Sequence, residues 1–407
     1  MAPAADLEVT SEDSGLPGDR PVSKAGRIAV LHPRFSHYGG TEQFGFRLAG
    51  ELARRGHQVD FICARREVDP PEGVRVLPVG RPPGFRFLKM LWFLIRAEGL
   101  RKRGDYDLSI ALGKTWNQDV IRAAGGPLAN FWEKSEPALP PGLPRLIKRV
   151  QRWLLPSNWL IRLIEWRQFN GKSEVIAVSH LIRDWLLEAY PPLVPAQVKV
   201  VYNRPSQVRF SPPSLSERAV ARAALASYAE SAMEGAVEPV FIGTAATNFG
   251  HKGVRSLLSA LALLPEQAML FVAGGREHGD CMKLAEELGV ADRVVFCGRV
   301  DDMPLFYRGL DIFILPTFHD ACSNVVLEAL ASGCKTISTS GNGASFFLEP
   351  EAVLSDPGDV AEMAKRLRLF MERPAPPPFV WPEDVDSGVE SFVDHIERAL
   401  ATRGGHG

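Results

Sequence analysis

The chain has 407 residues, of which 45% are hydrophobic and 23% charged, so it is a globular protein with room for two domains. Its formal net charge of -1 gives no global attraction for nucleic acid, and we expect no nucleic-acid partner. No apolar run approaches the roughly 20 residues that a membrane-spanning helix needs.

Residues 1–26 are small, polar and proline-containing, and they lack the apolar segment of a signal peptide. We expect them to form a disordered tail. The cysteines are scattered and include no close pair with metal-ligand spacing. This pattern predicts reduced thiols in a cytoplasmic protein, without a bound metal. The five cysteines are Cys63, Cys281, Cys297, Cys322 and Cys334.

Residues 27–203 open with the order of elements that begins a doubly wound α/β domain. An apolar strand at 27–31 is followed by a glycine-containing loop, a helical pattern and a second strand at 57–63. Ligands of such domains bind beyond the carboxyl ends of the strands. Gly39 and Gly40 stand where the first helix starts, and there they let the backbone approach a ligand. The alternative is that they mark only a turn.

Residues 145–169 combine basic and aromatic side chains on an interrupted helical pattern. This segment contains three tryptophans and a single acid, Glu165. Such a composition suits the plane of an anionic membrane surface, and we predict that contact. The alternative is a pair of surface helices packed on the sheet. The basic residues of the segment are Arg145, Lys148, Arg149, Arg152, Arg162 and Arg167.

A second α/β unit follows a strand at 198–202 and a hinge region at 203–238. Its strand and helix patterns repeat the order of the first unit, so we predict two doubly wound parallel sheets. Lys252 lies beside a glycine at a helix start, where its charge and the backbone amides together suit a phosphate. The alternative is a solvated surface lysine.

The stretch 311–343 gathers polar groups at one helix N-terminus. An apolar run leads to a turn containing Asp320, then to a helical pattern capped by Ser323 or Asn324, and then to a second apolar run. The free amides and dipole of the helix favour an anionic ligand. Glu328 lies among apolar neighbours and needs a partner if it is buried. Two ribose hydroxyls would provide one; alternatively, Glu328 faces solvent and Asp320 is a loop acid.

This stretch resembles the nucleotide-sugar signature of the retaining glycosyltransferases of family 4, which have the GT-B fold. The matching pattern is an acid, seven residues, and Glu in an EALA-x-G helix. The resemblance implies two Rossmann-like domains that face each other across a cleft. The acceptor-binding domain would span 27–203 and the nucleotide-sugar domain 204–380, with a helix in 381–407 returning to the first domain.

The resemblance also implies which residues bind the donor. Glu328 would hold the ribose, and Asp320, where the family more often has Glu, would lie beside the donor sugar. Cys322 is expected to be a small loop residue rather than a nucleophile. The full predicted donor set is Gly39, Gly40, Asn248, Lys252, Gly274, Arg299, Cys322, Ser323, Asn324, Val325 and Glu328.

Three further segments, NFGHKG, GKTWNQDV and FWEK, are similar to one branch of the family. These are the bacterial lipopolysaccharide core glucosyltransferases that add glucose to inner-core heptose. The similarity covers about residues 28–347 and implies UDP-glucose as donor, a lipid-linked glycan as acceptor and no cofactor. It implies acceptor contacts from Lys114 and Asp119. It also implies peripheral attachment to the inner face of the inner membrane through about 145–169.

We therefore predict a retaining, metal-independent hexosyl transfer. The departing diphosphate develops negative charge, which fixed positive charge and amide dipoles stabilise. Lys252 would hold the diphosphate, Asp320 would orient the donor sugar, and Asp119 would lie beside the acceptor hydroxyl. The alternatives are a nucleotide-sugar epimerase of GT-B fold, a family 4 transferase with another glycan or lipid acceptor, and a binding scaffold without turnover.

Overall fold

The computed structural model describes residues 25–139, 142–229, 239–275 and 279–404. The disordered tail predicted for residues 1–26 therefore lies outside the described residues except for its last two. Of these, Gly26 donates its backbone N–H to Nδ1 of His57 at 3.1 Å, at the edge of the first domain.

Strands and helices follow one another through both domains. In chain order the strands are β1 (Arg27–Leu31), β2 (Arg34–Phe35), β3 (Gln58–Cys63), β4 (Arg65–Arg66), β5 (Val74–Pro78), β6 (Leu108–Ala111), β7 (Val120–Ala123), β8 (Glu174–Ala177), β9 (Val198–Val200), β10 (Val240–Ala245), β11 (Ala268–Ala273), β12 (Val294–Gly298), β13 (Ile312–Ile314), β14 (Lys335–Thr339) and β15 (Val353–Leu354). The helices are α1 (Gly40–Arg54), α2 (Arg86–Arg103), α3 (Leu128–Ser135), α4 (Leu143–Leu154), α5 (Pro156–Phe169), α6 (His180–Ala189), α7 (Leu215–Ala226), α8 (Val254–Leu261), α9 (Gly279–Glu287), α10 (Met303–Gly309), α11 (Asn324–Ala331), α12 (Val360–Glu372) and α13 (Gly388–Gly404).

Two parallel sheets organise the chain, which confirms the predicted fold class. The N-terminal sheet has the strand order β5-β3-β1-β6-β7-β8-β9, and the C-terminal sheet has the order β12-β11-β10-β13-β14-β15. Parallel strands are covered by helices on both faces, so their residues are apolar in continuous runs. Strand β11, with the sequence AMLFVA, is buried along its whole length.

The strand order places a ligand site between the sheets. Each sheet changes the direction in which strands are added, beside β1 in the first sheet and beside β10 in the second. Crevices form at the carboxyl ends of strands at such points. Residues that follow strands of both sheets, among them Ala124, Val178, Ala246 and Gly274, line one shared cavity. The two carboxyl edges therefore face each other across a cleft.

The end of the chain packs on the N-terminal domain. Phe392, Val393 and Ile396 of α13 are fully buried in the same apolar cluster as Leu48 of α1. The ring of Phe392 meets the ring of Phe44 edge to face, with centroids 5.2 Å apart. Helix α13 therefore packs against α1 of the N-terminal domain.

The basic and aromatic segment at 145–169 forms α4 and α5, with the break at Pro156. Proline suits the first position of a helix because it has no N–H to satisfy. None of the helices in the described ranges is long and apolar enough to cross a membrane. Arg152 is among the basic residues of the predicted membrane-contacting segment, and this prediction is corrected by the structure. Its side chain is buried and donates to the Trp132 carbonyl at 2.9 Å and to Ser135 Oγ at 2.8 Å.

We expect truncation of Phe392 to Ala to lower the free energy of unfolding by about 3–5 kcal/mol, because it leaves a cavity between α1 and α13. Urea unfolding followed by tryptophan fluorescence measures this loss. The control is the exposed residue Arg398 on the same helix, whose substitution by Ala should change stability by less than about 0.5 kcal/mol. Equal effects of the two substitutions would contradict the packing described for α13.

Candidate active site

Three adjoining cavities run along the cleft. The interlobe cavity, of about 1000 Å³, is lined by both domains. The N-domain cavity, of about 570 Å³, lies wholly within the first domain, and the side groove, of about 90 Å³, lies along α11. Arg122 and Ala124 line both the N-domain and interlobe cavities, whereas Gly40, Asn203 and Asn324 line both the interlobe cavity and the side groove. The three cavities therefore adjoin one another.

A short chain of hydrogen bonds follows this line of cavities. Arg122 Nη2 donates to Asn203 Oδ1 at 2.6 Å, and Asn203 Nδ2 donates to Asn324 Oδ1 at 2.7 Å. Arg122 lies in strand β7 of the first domain, and Asn324 begins α11 of the second. These hydrogen bonds therefore connect the two domains where the cavities meet.

Arg122 is a buried cation at this junction. It is 4% exposed, and its guanidinium carbon lies 3.7 Å from the centroid of the Phe44 ring. Burial lowers the pKa of Arg122 to about 10. Among the described residues no carboxylate pairs with it. A buried charge without a counterion is costly, so this site favours an anion in either of the two cavities that Arg122 lines.

The N-terminus of α11 points its backbone donors at the interlobe cavity. Ser323 occupies the predicted N-cap position, yet its side chain makes no capping bond; Asn342 Oδ1 instead accepts from its N–H at 3.1 Å. The N–H groups of Asn324 and Val325 have no acceptor among the described residues. Because both residues line the interlobe cavity, their donors and the helix dipole favour an anion there.

Lys252 and Asp320 meet in the interlobe cavity. Lys252 Nζ forms an ion pair with Asp320 Oδ2, and the other oxygen of Asp320 accepts from the Cys322 N–H at 3.3 Å. Both side chains are about one fifth exposed. The lysine lies just before α8, and the aspartate lies in the loop between β13 and α11. The two predicted groups are therefore together, and an anion would compete with Asp320 for the ammonium group.

The remaining predicted donor residues of the second domain divide into two groups. Gly274 and Arg299 line the interlobe cavity. At Gly274 the backbone has φ +84°, and a side chain there would clash with the Ala246 carbonyl, so only glycine fits. Asn248 is not among the lining residues; its Oδ1 accepts from the His251 N–H at 3.1 Å and thus supports the turn before Lys252.

Glu328 lies in the side groove, between the domains. Its Oε2 accepts from the Tyr307 hydroxyl at 3.0 Å. Burial raises the pKa of the Glu328 carboxyl, and only partial compensation comes from that hydrogen bond and from Arg209. The groove is also lined by Gln43 and Arg47 of the first domain. The alternative placement of Glu328 on an exposed face is thereby excluded.

Cys322 lies in the same loop and is buried. Burial raises the pKa of its thiol to about 12. A thiol with this pKa stays protonated at neutral pH and is a poor nucleophile. The structure therefore agrees with a small packing residue at this position.

The loop with the two glycines faces α11 across the cleft. Gly39 has φ +105° and precedes α1, and a Cβ on Gly40 would lie 3.5 Å from Asn324 Nδ2. Gly40, Thr41 and Glu42 line the interlobe cavity, whereas Gly39 is not among the lining residues. Glu42 and Asp320 are the carboxylates among the residues that line this cavity.

Lys114 lines the N-domain cavity. Its Nζ lies 2.7 Å from Glu165 Oε1. Glu165 is 3% exposed and also accepts from the Leu128 N–H at 3.2 Å and the Tyr190 hydroxyl at 3.3 Å. The single acid of the 145–169 segment is therefore an internal anchor.

The structure contradicts the placement predicted for Asp119. Its carboxylate accepts from the Ser109 N–H at 2.7 Å, from Ser109 Oγ at 2.6 Å and from Arg403 of α13 at 2.6 Å. Asp119 precedes β7 and so lies at the amino edge of the sheet, in a separate depression, whereas the cavities open at the carboxyl edge. Its role is to hold β6, β7 and α13 together.

Sequence reasoning missed Arg122 and Glu42 as cavity residues. Arg122 is the one charged residue in the short run VIRA, and its unusual composition for a buried strand was the available signal. Glu42 stands two residues after the glycine pair, in the first turn of α1, where an acid is also an ordinary helix feature. In the described part of the chain no group of His, Cys, Asp or Glu residues has the geometry of a metal site.

Two family models match the chain. One, described as Glycosyltransferase Family 4, matches residues 38–203; the other, described as Glycosyl transferases group 1, matches residues 238–373. Together they cover both domains.

Individual proteins show the same relationship. The chain is 33% identical over 123 residues to the lipopolysaccharide core biosynthesis glycosyltransferase LpsE of Rhizobium meliloti (strain 1021). That match covers 30% of this chain and only 36% of LpsE, about a third of its length.

Solved structures extend the likeness to the whole architecture. The crystal structure of WaaG, a glycosyltransferase involved in lipopolysaccharide biosynthesis, has a TM-score of 0.70 at 20% identity and covers 85% of this chain and 90% of that one. Anabaena Alr3699/HepE in complex with UDP-glucose has a TM-score of 0.62 at 16% identity, with 93% and 95% covered. At these identities the likeness concerns the fold.

We expect Asp119→Asn to lower the free energy of unfolding at pH 7 by about 1–3 kcal/mol, because the amide keeps only one of the two acceptor oxygens and loses the charge that faces Arg403. Burial alone would raise the pKa of Asp119, but hydrogen bonds from Ser109 and Arg403 outweigh it, and the pKa lies below its ordinary value of 3.8. The carboxylate therefore stabilises the fold above about pH 4, and this contribution is lost as the pH falls through the folded-state pKa.

Urea unfolding of both proteins from pH 7 down to pH 3 measures this effect. The difference in stability should stay constant to about pH 5 and shrink below pH 4. A difference that is absent at pH 7, or that grows as the pH falls, would contradict the structural role of Asp119.

Proposed function

The chain belongs to the glycosyltransferases of family 4 and has the GT-B fold, and from this premise we propose that it is a retaining, metal-independent hexosyltransferase. Its proposed donor is UDP-glucose, and its proposed acceptor is a lipopolysaccharide core or a related cell-envelope glycan. The observation that carries the proposal is that the interlobe cavity shares lining residues with the side groove on one side and with the N-domain cavity on the other. In this proposal the side groove takes the nucleoside, the interlobe cavity takes the sugar diphosphate, and the N-domain cavity takes the acceptor.

The diphosphate is proposed to bind at the start of α11. The unpaired N–H groups of Asn324 and Val325, the helix dipole and the nearby Lys252 all favour negative charge at this place. Lys252 would leave Asp320 for a phosphate oxygen when the donor binds. On the opposite wall, Arg122 gains the counterion that it lacks in the described structure.

The nucleoside is proposed to lie in the side groove, with its ribose on Glu328. Two ribose hydroxyls are donors that suit a carboxylate oxygen. Burial has already raised the pKa of this carboxyl, so new hydrogen bonds from the ribose would stabilise its charged form. Tyr307 donates to one oxygen of Glu328, and the other has no hydrogen-bond partner among the described residues.

Asp320 is proposed to orient the donor sugar once Lys252 has moved to the phosphate. The chemistry then depends on the leaving group, which develops negative charge as the bond to the sugar breaks. Lys252, Arg122 and the α11 amides stabilise that charge without reorganising. The acceptor hydroxyl, entering from the N-domain cavity, attacks on the face that the diphosphate leaves, and its proton passes to the departing phosphate oxygen. This front-face course retains the configuration of the sugar, as the family resemblance implies.

The identity of the substrates is supported by the relatives. LpsE is described as a glycosyltransferase of lipopolysaccharide core biosynthesis, and WaaG as a glycosyltransferase involved in lipopolysaccharide biosynthesis. The HepE structure contains UDP-glucose. On this basis glucose, uridine diphosphate and a cell-envelope acceptor are the first choices for this chain.

An anionic membrane surface is the proposed location, on the cytoplasmic face of the inner membrane. Helices α2, α4 and α5 adjoin one another and expose large apolar side chains, which favour burial in the headgroup boundary. Arg162 stacks over the rings of both Trp153 and Trp159, so its charge lies beside the apolar surface. The exposed large apolar residues of these three helices are Leu88, Trp92, Ile95, Leu143, Leu146, Ile147, Val150, Trp153, Leu154, Trp159, Leu163 and Trp166.

We expect Lys252→Ala and Glu328→Gln each to weaken binding of UDP-glucose by at least about tenfold, because each removes a charge-assisted hydrogen bond to the donor. Titration calorimetry measures the affinity. Asp119→Asn is the matched control, since its carboxylate lies outside the three cavities, and it should bind UDP-glucose like the wild type. Unchanged affinity in both cleft variants would reject their proposed roles.

Transfer is tested by a donor screen read by mass. UDP-glucose, UDP-galactose, UDP-N-acetylglucosamine and GDP-mannose are each offered with a lipid-linked heptose acceptor. We expect a hexose gain from UDP-glucose and an α-linkage in the product, because retention preserves the configuration of the donor. Formation of an epimer from the nucleotide sugar alone would instead identify an epimerase. A β-linked product would reject retention.

Membrane contact is tested on vesicles. We expect the double variant W159S/L163S to bind vesicles containing phosphatidylglycerol at least about tenfold more weakly, because apolar burial contributes about 25 cal/mol per Å². Binding should also weaken with salt and on neutral vesicles. The control is V380S, since Val380 is 80% exposed on the second domain. Equal loss in both variants, or no vesicle binding by the wild type, would contradict this surface.

A further inference from the structure

We propose that the N-domain cavity binds an anionic group of the acceptor, a phosphate or a carboxylate, close to the sugar that receives the hexose. This inference rests on the proposed function, because it treats the cavity as the acceptor side of a transferase. It adds the chemical class of the acceptor.

The lining of the cavity has a strong excess of positive charge. Seven basic residues line it against one acid, Glu165. A neutral glycan would not need such a wall, and repulsion among cations destabilises an empty cavity. The basic residues are Arg34, Arg65, Arg81, Arg86, Lys89, Lys114 and Arg122.

Part of this charge is already paired within the protein. Arg34 lies 2.9 Å from Glu67, and Arg65 lies 3.9 Å from the same side chain. Lys114 pairs with Glu165, which is buried and has its other oxygen hydrogen bonded within the first domain. Glu165 is therefore not available to the other cations of the cavity.

Three cations remain at the side of the cavity formed by α2. The side chains of Arg81, Arg86 and Lys89 have no carboxylate or hydrogen-bond partner among the described residues; Arg81 and Arg86 are exposed, and Lys89 is half-buried. Arg86 and Lys89 are three apart on one helix, so their side chains lie on the same face. Together with Arg81 they can surround one anionic group, as basic clusters do for phosphate and carboxylate.

The position of two of these cations on α2 is unusual. Helix N-termini carry partial positive charge and favour acids, yet the first turn of α2 has no acid and begins with Arg86 and Lys89. A bound anion would relieve this repulsion and accept from the free amides of the same turn. The helix start and the unpaired cations thus point to the same ligand chemistry.

The rest of the cavity indicates what carries the anion. Its interior is apolar, with Phe93, Leu94, Ile161 and Ile164 in the lining, which suits the C–H faces of sugar rings. At the inner end Arg122 opens to the interlobe cavity. An acceptor held by its anion at α2 would therefore extend its reacting hydroxyl toward the donor.

The test uses the full chain saturated with UDP, so that the phosphate site of the interlobe cavity is already occupied. Calorimetry or saturation-transfer NMR then measures binding of glucose 6-phosphate, glucuronate and uncharged glucose. We expect a charged sugar to bind at least about tenfold more tightly than glucose, with an affinity that falls as salt increases. A preference for the phosphate or for the carboxylate identifies which group the acceptor carries.

Two variants of α2 locate the effect. R86Q/K89Q should weaken binding of the charged sugar by at least about tenfold. R86Q/K89R, which keeps a cation at position 89, should recover part of the lost affinity. The control R96Q removes a cation from the same helix, where Arg96 stacks on Trp92 outside the cavity. Equal binding of charged and neutral sugars, or an equal loss in R96Q, would overturn the proposal, as would no binding of any sugar.

The same titrations separate this inference from the proposed function. If UDP does not bind the wild type, the transferase proposal fails first. If UDP binds with normal affinity while charge on the sugar has no effect, only the anionic acceptor is rejected. Normal UDP binding by R86Q/K89Q shows that the variant is folded and that the donor side is intact.

Discussion

Two hydrogen bonds, from Arg122 to Asn203 and from Asn203 to Asn324, join the domains at the centre of the cleft. They link β7 to the start of α11 through residues that line the adjoining cavities. The guanidinium at the start of this chain is buried without a carboxylate among the described residues. Such an arrangement is costly unless an anion is bound nearby. An anionic ligand in the cleft would supply the opposite charge.

The charges along the cleft change in a way that suits a polar, extended ligand. The N-domain cavity is strongly basic, and the interlobe cavity contains both signs, with Lys252 paired to Asp320. The side groove contains Glu328, whose pKa is raised by burial. A nucleotide sugar and an anionic acceptor would meet donors, cations and a carboxylate in the order in which their own groups occur. The same first-domain helix, α2, forms a wall of the N-domain cavity and exposes apolar residues on its other side. The proposed acceptor site therefore adjoins the proposed membrane surface.

Much of this architecture follows from the sequence, because buried parallel strands are continuous apolar runs and helix starts have recognisable caps. For that reason the sequence predicts strand β1 and the α11 stretch, including Glu328 in an apolar helix. The role of Asp119 could not be predicted, because the edge of the sheet at which it lies depends on where β7 begins. The arginine in VIRA interrupts the apolar pattern by which that strand would be recognised. The burial of Arg122 and Arg152 is likewise a tertiary effect. A single arginine has the same local sequence signal whether it is solvated or enclosed by helices from distant parts of the chain.

Hydrogen–deuterium exchange of the full chain, with and without UDP, shows whether the nucleotide binds at the start of α11. We expect slower exchange in the segment before α8 that contains Lys252 and in residues 320–330, where the α11 amides and Glu328 would contact the diphosphate and ribose. Exchange in α9 and α12, which lie outside the three cavities, should not change. Binding of UDP without protection at the start of α11, or with protection confined to other parts of the chain, would contradict this expectation.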